Sequence, residues 1–598
     1  MSKFIPSSLI AYWLCAVLLI AASVVYYPKW EKPNAEATIS WDVSGYYLYL
    51  PGALIYKDLK HLKWWEAIHA KYHPGPGMGQ AFQHPSGNWV LKYPMGQALQ
   101  FLPWFATAHL LAEPLGYPAD GFSRPYQAAI SWGSLLVALL GLWYFRKVLK
   151  EYFSDQIVSI VLICVVFGSN YLEYASITGA MTHNWLFTLY SLMIFSTIQF
   201  YRRPSFGWAA LIGLLVGWAT ITRPTEIIAG IIPVFWGINS WSTMKARFSF
   251  LVNSFPKITL SAICGGALIF LQLAYWKYAS GEWIVYSYQD QTFSWFPPHI
   301  EDVLWSARAG WLVYSPMMLF AVIGIFMLRK RLPEVFPTVF CFSMIALYIT
   351  SAWDIWWYGG SLGQRAMVQA YPLWGFGLGA FWVWVSGRSW RKWVFVPLAG
   401  ICIYLNLWWS HQAHLGGLFV GEQMTRAYML KVLGRFDVDR DNLKLLDTRE
   451  EFKGGERRNV REILAQNFEI DTTGIASAEA PISGTKSMII KEFSPEFELP
   501  VKSGEKGWLR ASCTFRSDPK EWETWRMTQF IVRFSMGGKI VKERAIRLQR
   551  HVDGNEPKAV FFDTRLPDQS FDHVLIYFWN PGSNTILLID DLKVELFE

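Results

Sequence analysis

Charged residues are scarce in this 598-residue chain: they make up 17% of it, whereas hydrophobic residues make up 53%. This composition excludes a disordered chain, which needs high charge and few apolar residues. It is also unlike that of a soluble enzyme, and the mean hydropathy of +0.20 agrees with this. The chain is too long for one ordinary domain, so we expect more than one.

Cysteine is rare as well, with six residues and no CxxC sequence. Only Cys513 lies in the polar C-terminal part, and the others lie in apolar stretches. The sequence therefore gives no sign of a disulfide scaffold or a zinc site, and we interpret the thiols as small core side chains.

Glycine-rich sequences that bind nucleotide phosphates are missing where they would matter, both GxxxxGK[ST] and GxGxxG between a strand and a helix. No basic face with interleaved aromatic residues is found either, so we expect no nucleic-acid partner. The net charge of +8 is divided among short clusters between apolar stretches, which is typical of membrane orientation signals.

Long apolar stretches dominate the first two thirds of the chain. The first, at about 8–27, is ~20 residues long, which is enough to span a bilayer. We interpret it as an uncleaved anchor with the N-terminus in the cytoplasm. Further stretches lie at about 124–145, 157–172, 184–201, 205–221, 226–239, 258–278, 310–328, 335–352, 366–386 and 393–410.

Basic clusters lie at every second connection between these stretches, and the other connections carry acidic residues. This is the positive-inside pattern, which fixes the orientation of membrane helices. It predicts about eleven crossings of the inner (plasma) membrane and places everything after Trp409 outside the cytoplasm. The clusters are Arg146/Lys147/Lys150, Arg202/Arg203, Lys245/Arg247, Arg329/Lys330/Arg331 and Arg388/Arg391/Lys392.

The segment 93–112 has the length of a span, but counting it as one would put basic clusters on both sides of the membrane. It also contains two prolines and several polar residues. We therefore predict an interfacial or re-entrant helix there, following a first external loop at 28–92. Together these segments form a predicted transmembrane domain over 1–410.

The composition changes at about residue 411. Residues 411–483 predict an amphipathic helical linker, and residues 484–598 predict a periplasmic β-domain. Six or seven short strands with turn residues between them are typical of a β-sandwich of jelly-roll type. The predicted strands lie at 508–516, 526–535, 539–548, 558–563, 573–579 and 586–597.

The first external loop contains an acid followed by an aromatic cluster, WDVSGYYLYLP at 41–51. Next to the membrane surface the dielectric constant falls, so we expect the pKa of Asp42 to be raised and its carboxylate to act as a base. Tyr46 and Tyr47 are candidates for substrate binding. A structural interpretation stays open, in which Asp42 only caps the helix that follows.

Two arginines are candidates for binding a phosphate, because a planar guanidinium group matches phosphate geometry. Arg223 lies between two apolar stretches, where an arginine is costly unless it has a partner. That partner is either a ligand or Glu226, three residues further along the chain. Arg365 is the second candidate.

Arg365 lies near the end of the connection WDIWWYGGSLGQRAM at 353–367, which also contains Asp354 and Trp357. Aromatic faces stack on sugar rings, and glycines let the backbone approach a ligand. We therefore predict that Asp354 and Trp357 bind substrate. The alternative is an interfacial tryptophan belt with a snorkelling arginine.

Three other places carry weaker signals. His183 begins a predicted helix and is either a substrate ligand or a structural hydrogen-bond donor. The acidic loop at 281–308 is interpreted as a solvated rim. Asp590 and Asp591 either ligate calcium or lie on a solvated edge strand.

Taken together, these strings resemble the integral-membrane glycosyltransferases of the C-type fold. The resemblance is greatest to bacterial relatives of the dolichyl-phosphate-mannose protein mannosyltransferases (family 39), and it covers roughly residues 8–410. The order of the strings and their shared external placement carry it, more than any one string. They are WDVSGYYLYLP, YPMGQALQFLPWF, MTHNWLF, GLLVGWATITRPTE, RAGWLVYSP and WWYGGSLGQR.

The resemblance implies a hexosyl- or pentosyltransferase with a polyprenyl-phosphate sugar donor and a glycan, lipid or protein acceptor, in glycan biosynthesis of the cell envelope. It implies that Asp42 is the base and that Arg223 and Arg365 hold the donor phosphate. The family usually has a second acid after the first, where this chain has Val43. No metal ligand or cofactor is therefore assigned, and a requirement for a divalent cation is left open.

The implied reaction is a single displacement with inversion at the anomeric carbon. The main alternative is a transporter or flippase of a lipid-linked or polar solute, which typically has ionisable groups near the bilayer midplane. The candidate residues gather on one predicted external face, which favours an enzyme. A non-catalytic scaffold for the β-domain leaves Asp42, Arg223 and Arg365 without a shared role.

Overall fold

The computed structural model describes residues 5–470, 476–478, 481–518, 525–552, 554–582 and 586–598. The chain divides into two compact units, Met1–Leu415 and Gly416–Glu598. The first unit is mainly helical and the second mainly β-structure, so the predicted combination of a helical domain with a C-terminal β-domain is confirmed.

The first unit consists of helices of very different lengths and one small hairpin. Its helices up to residue 202 are α1 (Ser7–Ile20), α2 (Trp41–Tyr47), α3 (Tyr49–Leu54), α4 (Trp65–Tyr72), α5 (Gly96–Ala112), α6 (Arg124–Lys150), α7 (Asp155–Gly168), α8 (Tyr171–Ala175) and α9 (Thr182–Arg202). The hairpin is formed by β1 (Ala81–Gln83) and β2 (Trp89–Leu91).

The remaining helices of this unit are α10 (Phe206–Thr222), α11 (Ile231–Phe235), α12 (Trp241–Asn253), α13 (Phe255–Ser280), α14 (Ile300–Trp305), α15 (Trp311–Tyr314), α16 (Met318–Arg331), α17 (Phe336–Ala352), α18 (Tyr371–Ser386) and α19 (Ser389–His411). Two 3-10 helices matter for the site. They are Pro224–Gly230 and Arg365–Ala370.

Four helical segments of the described chain are long and apolar enough, by length and composition, to cross a membrane. They are Ser7–Glu31, Arg124–Lys150, Phe255–Ser280 and Ser389–Gly416. Shorter apolar helices include Asp155–Gly168, Phe206–Thr222, Pro224–Phe235 and Phe336–Ala352. The eleven crossings and the interfacial position of 93–112, most of which forms α5, stay predictions.

Two helix pairs pack at very close range because glycines face each other. A Cβ atom at Gly217 of α10 would lie 2.6 Å from the carbonyl oxygen of Gly265 on α13. A Cβ atom at Gly324 of α16 would lie 1.9 Å from the carbonyl oxygen of Gly377 on α18. Small residues allow such an approach where dispersion forces hold apolar helices together.

The second unit begins with α20 (Arg426–Val432) and continues as two antiparallel sheets. The strands are β3 (Arg461–Gln466), β4 (Ala476–Ser477), β5 (Ser487–Ile490), β6 (Phe497–Glu498), β7 (Trp508–Ser517), β8 (Gln529–Met536), β9 (Lys539–Arg547), β10 (Lys558–Arg565), β11 (His573–Trp579) and β12 (Leu587–Phe597). One sheet has the strand order β10-β7-β12-β5-β4, with β3 also paired to β12, and the other has the order β6-β11-β8-β9.

Side chains from both sheets share one core. Phe515 of β7, Phe530 of β8 and Phe562 of β10 are all buried in it, and the ring centres of Phe530 and Phe562 are 5.0 Å apart. Two sheets that bury one common layer of side chains form a β-sandwich. The long strands lie within a few residues of the predicted positions, because alternation along each strand separates its buried face from its exposed face.

The segment predicted as a helical linker, 411–483, is not helical throughout. It contains β3 and β4, and β3 pairs with the C-terminal half of β12. The buried carboxylate of Asp447 also ties this segment to the sheets, since it forms an ion pair with Arg550 at 2.8 Å and lies 3.0 Å from Nε2 of His551. These partners are about a hundred residues away, so local sequence patterns do not reveal them.

Asp590 was interpreted either as a calcium ligand or as part of a solvated edge strand, and its surroundings differ from both. Its carboxylate is fully buried and accepts hydrogen bonds from the hydroxyl groups of Ser483 and Ser487 and from the backbone N–H of Asp591. The protein itself therefore satisfies this carboxylate. In the described residues no group of three or more His, Cys, Asp or Glu side chains is placed to hold a metal ion.

Candidate active site

The carboxylate of Asp42 is the centre of a group of polar side chains in the first unit. The alternative that Asp42 only caps the following helix does not hold, because the N-cap residue of α2 is Ser40. Asp42 Oδ1 accepts a hydrogen bond from the Tyr93 hydroxyl at 2.7 Å, and Oδ2 accepts one from Arg365 Nη2 at 2.6 Å. The carboxylate thus binds side chains from two distant parts of the chain.

The loop before Arg365 positions its guanidinium group. Gly363 has a φ of +62°, and a Cβ atom there would lie 2.9 Å from Cβ of Tyr314. Glycine is therefore required for both backbone conformation and space. The buried side chain of Gln364 donates a hydrogen bond to the carbonyl of Trp356 at 2.7 Å, which holds the loop in place.

Arg223 lies directly after α10, in extended backbone before Pro224. Its guanidinium carbon is 5.4 Å from the ring centre of Tyr358, and that of Arg365 is 5.9 Å from the same ring. Both predicted phosphate ligands thus contact one aromatic ring. The predicted alternative, a pair with Glu226, is not formed at salt-bridge distance within the described residues, because the Glu226 carboxylate binds other side chains.

The ammonium group of Lys92 adds a third cation to the two arginines. It lies 5.7 Å from the ring centres of both Tyr93 and Tyr288 and interacts electrostatically with Asp42. Even when the buried carboxylate of Glu226 is counted together with Asp42, cations outnumber anions. The site therefore has a net positive charge, which suits an anionic ligand.

The pKa of Asp42 differs from the sequence-based expectation. Burial alone raises the pKa of this carboxyl, but the charge of Arg365 and the hydrogen bond from Tyr93 lower it by more, so the pKa lies below the ordinary value for aspartate. The expected raised pKa is therefore wrong for this structure. A cation in direct contact outweighs desolvation, and the carboxylate is held in its ionised form.

The two tyrosines of the first external loop have different surroundings. Tyr46 is buried with its ring centre 4.4 Å from that of Tyr93, and burial followed by the charge of Asp42 raises its pKa to about 12. Its hydroxyl therefore stays protonated at neutral pH. Tyr47 has other neighbours: its hydroxyl donates to the carbonyl of Gly121 at 2.5 Å, and its ring centre lies 5.5 Å from that of Phe122.

His183 lies in the first turn of α9 and is 1% exposed. Its Nδ1 atom is 3.0 Å from Oε1 of Gln369 and 3.5 Å from Nη1 of Arg223. The structure therefore brings His183 beside a predicted phosphate ligand, and its role in binding substrate stays a prediction.

Asp354 and Trp357 contact residues of the loop at 281–308, and their role in binding substrate stays a prediction. The carboxylate of Asp354 accepts hydrogen bonds from the hydroxyl groups of Thr292 and, at 2.6 Å, Ser294. The indole ring of Trp357 lies 3.5 Å from the guanidinium carbon of Arg308. Asp354 thus links the connection at 353–367 to the loop at 281–308. That loop was interpreted as a solvated rim, but it also makes these structural contacts.

Solved structures similar to this chain include three of low sequence identity. The xylan-binding domain CBM22-1 of Paenibacillus barcinonensis Xyn10C is 14% identical over 24% of this chain and 97% of that chain, with a TM-score of 0.17. The archaeal oligosaccharyltransferase AglB of Archaeoglobus fulgidus is 10% identical over 75% of this chain and 61% of that chain, with a TM-score of 0.41. The arabinosyltransferase EmbB of Mycobacterium smegmatis is 12% identical over 100% of this chain and 66% of that chain, with a TM-score of 0.35.

No protein-family model and no curated protein matches this sequence. The chain spans 61% of the oligosaccharyltransferase and 66% of the arabinosyltransferase. Because each of these three TM-scores lies below 0.5, the function has to be inferred from the residues of this chain.

Several polar residues of the cluster were not among the sequence-based candidates. Lys92 and Tyr93 precede α5, Tyr358 lies between the tryptophans and the glycines of its connection, and Gln369 follows Arg365 by one helical turn. All of them lie in or beside strings that carry the family resemblance. Only the long-range contacts with Asp42, Arg223 and His183 single them out from their neighbours.

Proposed function

We propose that this protein is a membrane glycosyltransferase that moves a hexose or pentose from a polyprenyl-phosphate donor to a glycan, lipid or protein acceptor outside the cytoplasm. The observation that carries the proposal is the contact of the Asp42 carboxylate with Arg365 at 2.6 Å, beside Arg223 and one shared aromatic ring. One base and two phosphate ligands are the groups that such a transfer needs.

The guanidinium groups are suited to the leaving phosphate. Arg223 and Arg365 each offer N–H donors in a planar fork, and Lys92 adds charge. A phosphate is already a good leaving group, so no acid has to protonate it. Positive charge that is in place before the bond breaks stabilises the growing charge on the phosphate oxygens.

The reaction forms one bond and breaks another in a single displacement. An acceptor hydroxyl oxygen attacks the anomeric carbon while the bond from that carbon to the phosphate oxygen breaks. The bonding electrons leave with the phosphate, and the acceptor proton passes to Asp42. Attack opposite the leaving group inverts the anomeric centre, and the transition state has the charge of an oxocarbenium ion.

The ion pair between Asp42 and Arg365 supports an ordered sequence of binding. Without donor, Arg365 neutralises Asp42 and makes it a weak base. A phosphate bound to Arg365 shares the positive charge and so returns basicity to Asp42. Base activation by the donor limits premature transfer of the sugar to water.

The test uses the full-length protein in lipid nanodiscs with a panel of short polyprenyl-phosphate hexoses and pentoses that carry a radiolabel in the sugar. A detergent extract of cell-envelope glycans supplies acceptors. We expect one donor to release free polyprenyl phosphate. Its labelled sugar should then be attached to an acceptor with inverted configuration at the anomeric carbon. Intact donors throughout the panel would overturn the proposal.

Liposomes test the transporter alternative with the same donors. A flippase moves the intact lipid-linked sugar between leaflets and breaks no bond, whereas the proposed enzyme breaks the sugar–phosphate bond. Movement of intact donor without cleavage supports the transporter and contradicts the enzyme.

A further inference from the structure

A chain of buried hydrogen bonds runs from Glu226 to His183 beside the proposed site. Glu226 Oε1 accepts a hydrogen bond from Gln369 Nε2 at 2.5 Å, and Glu226 Oε2 accepts one from the Tyr190 hydroxyl at 2.5 Å. On its other side, Gln369 Oε1 lies 3.0 Å from His183 Nδ1. Glu226, Gln369 and His183 are 4%, 7% and 1% exposed, so these hydrogen bonds are shielded from bulk water.

The polarity of this chain follows from what each group can donate. Both oxygens of Glu226 act as acceptors, one for Gln369 Nε2 and one for the Tyr190 hydroxyl. The amide nitrogen of Gln369 therefore faces Glu226, and its amide oxygen faces His183. Because an amide oxygen cannot donate, the proton of this hydrogen bond belongs to His183 Nδ1.

Arg223 reinforces the neutral state of this imidazole. Its Nη1 lies 3.5 Å from His183 Nδ1, but a guanidinium group only donates, and Nδ1 already donates to Gln369. The contact is therefore a charge contact, and it opposes a second proton on the ring. A neutral imidazole with its proton on Nδ1 has an acceptor lone pair on Nε2.

We propose that Glu226, acting through Gln369, holds His183 as the Nδ1–H tautomer so that its Nε2 accepts a hydrogen bond from a sugar hydroxyl. The inference rests on the proposed function, and it identifies the bound group as a hydroxyl donor rather than a second phosphate. Glu226 and Gln369 are positioning residues. The hydroxyl belongs to the sugar of the donor or to that of the acceptor.

The tautomer is measured without any substrate. Full-length protein with ¹⁵N-labelled histidine in lipid nanodiscs gives the ring-nitrogen signals, and the His183→Gln variant identifies those of His183. We expect the proton on Nδ1 in the wild type and its transfer to Nε2 in Glu226→Gln, where the amide of Gln369 is free to turn over. A wild-type Nε2–H signal overturns the inference and leaves the proposed transferase intact.

The positioning role is also tested by measuring the activity of a variant in which the residues at positions 226 and 369 are exchanged. Glu226→Gln should lose about tenfold in kcat/KM, the value of one hydrogen bond. The double variant Glu226→Gln/Gln369→Glu should recover most of it, because the carboxylate placed at position 369 accepts from both His183 Nδ1 and the amide placed at position 226. A merely structural role for Glu226 predicts that the double variant is as poor as the single one, and that result would sink the inference.

Kinetics with the reactive donor identify the hydroxyl. A rise of about tenfold in the KM of the donor places it on the donor sugar, and a rise in the KM of the acceptor places it on the acceptor. Glu301→Gln, on the exposed first turn of α14, is the matched control and should leave both KM values unchanged. If Glu226→Gln changes neither KM nor kcat while wild-type cleavage persists, the inference is wrong and the proposed function stands.

Discussion

Among the individual residues, the contact between Asp42 and Arg365 decides how the proposed base behaves. The guanidinium group keeps the carboxylate ionised, yet it also makes the carboxylate a poor proton acceptor. In the proposed reaction, a donor phosphate takes over part of the positive charge of Arg365, and Asp42 regains basicity when the acceptor must lose its proton.

Asp42→Asn should lower sugar transfer by at least about 100-fold, because it removes the proton acceptor and keeps the shape of the side chain. Asp290→Asn, at an exposed position of the loop at 281–308, is the matched control and should retain wild-type activity. Transfer of labelled sugar and thermal unfolding are measured for both variants. Wild-type transfer by a folded Asp42→Asn protein would exclude Asp42 as the base.

The lowered pKa of Asp42 also sets a pH dependence. A carboxyl with a lowered pKa in the folded protein is ionised above that pKa, and it loses function and its stabilising contribution as the pH falls through it. We therefore expect the acid limb of kcat/KM below about pH 4, the ordinary range of aspartate. The limb of kcat, which reports the donor-bound enzyme, should lie at higher pH.

Arg365→Gln is the matched variant for the pH profile. Removing the cation should move the acid limb of kcat/KM to higher pH and weaken donor binding in the activity that remains. Profiles of the two proteins between about pH 3 and pH 8 are compared under the same conditions. A wild-type kcat/KM limb near about pH 6, well above the ordinary range of aspartate, would contradict the account of the ion pair.

Among the helices, close packing of α10 on α13 fixes the position of Arg223. The helix α10 ends at Thr222, so any shift of α10 moves the guanidinium group that follows. A Cβ atom at Gly213 would lie 1.9 Å from the backbone oxygen of Ser261, which cannot move away as a flexible side chain could. Glycine is needed here for the distance between two backbones.

Gly213→Ala should therefore destabilise the protein by about 1–3 kcal/mol and lower transfer activity, as overpacking does in well-packed interiors. Gly266→Ala on α13 is the control, because a Cβ atom there has nothing within 4 Å. It should be neutral or slightly stabilising, since alanine favours helix more than glycine. Tryptophan fluorescence during heating in detergent measures both variants, and equal melting curves would contradict the packing argument.

In the whole molecule, the division into two units means that each has its own hydrophobic core. The β-unit buries side chains of both of its sheets in one layer, and its inner and outer faces alternate along each strand. Neighbouring residues of a strand therefore differ sharply in importance. Phe562 of β10 is 4% exposed, whereas the adjacent Phe561 is 53% exposed.

Phe562→Ala should lower the stability of the β-unit by about 3–5 kcal/mol, because it leaves a cavity in the core. Phe561→Ala, one residue earlier on the opposite face, should change stability by less than about 1 kcal/mol. Chemical unfolding of residues 416–598, expressed alone, measures the difference through its circular dichroism. Similar losses of stability in both variants would contradict the assignment of a buried and an exposed face to β10.

Much of the architecture was predictable because its signals are local. Apolar length indicates the helices that can cross a membrane, and period-two alternation located β7 to β12 within a few residues. The predicted helical linker at 411–483 was less accurate, because the strands inside it depend on contacts that are distant in sequence. The strand β3 is defined by its partner on β12, more than a hundred residues later, and short edge strands carry little pattern of their own.

At the site, the order of residues along the chain already shows the available chemistry: a carboxylate at Asp42, guanidinium groups at Arg223 and Arg365, an imidazole at His183. Folding establishes which of them meet, that the Tyr47 hydroxyl binds Gly121 instead, and that the pKa of Asp42 is lowered. The difference comes from distance. Side-chain chemistry belongs to each residue, whereas charge interactions and hydrogen bonds depend on separations of a few ångströms, which the folding of the whole chain sets.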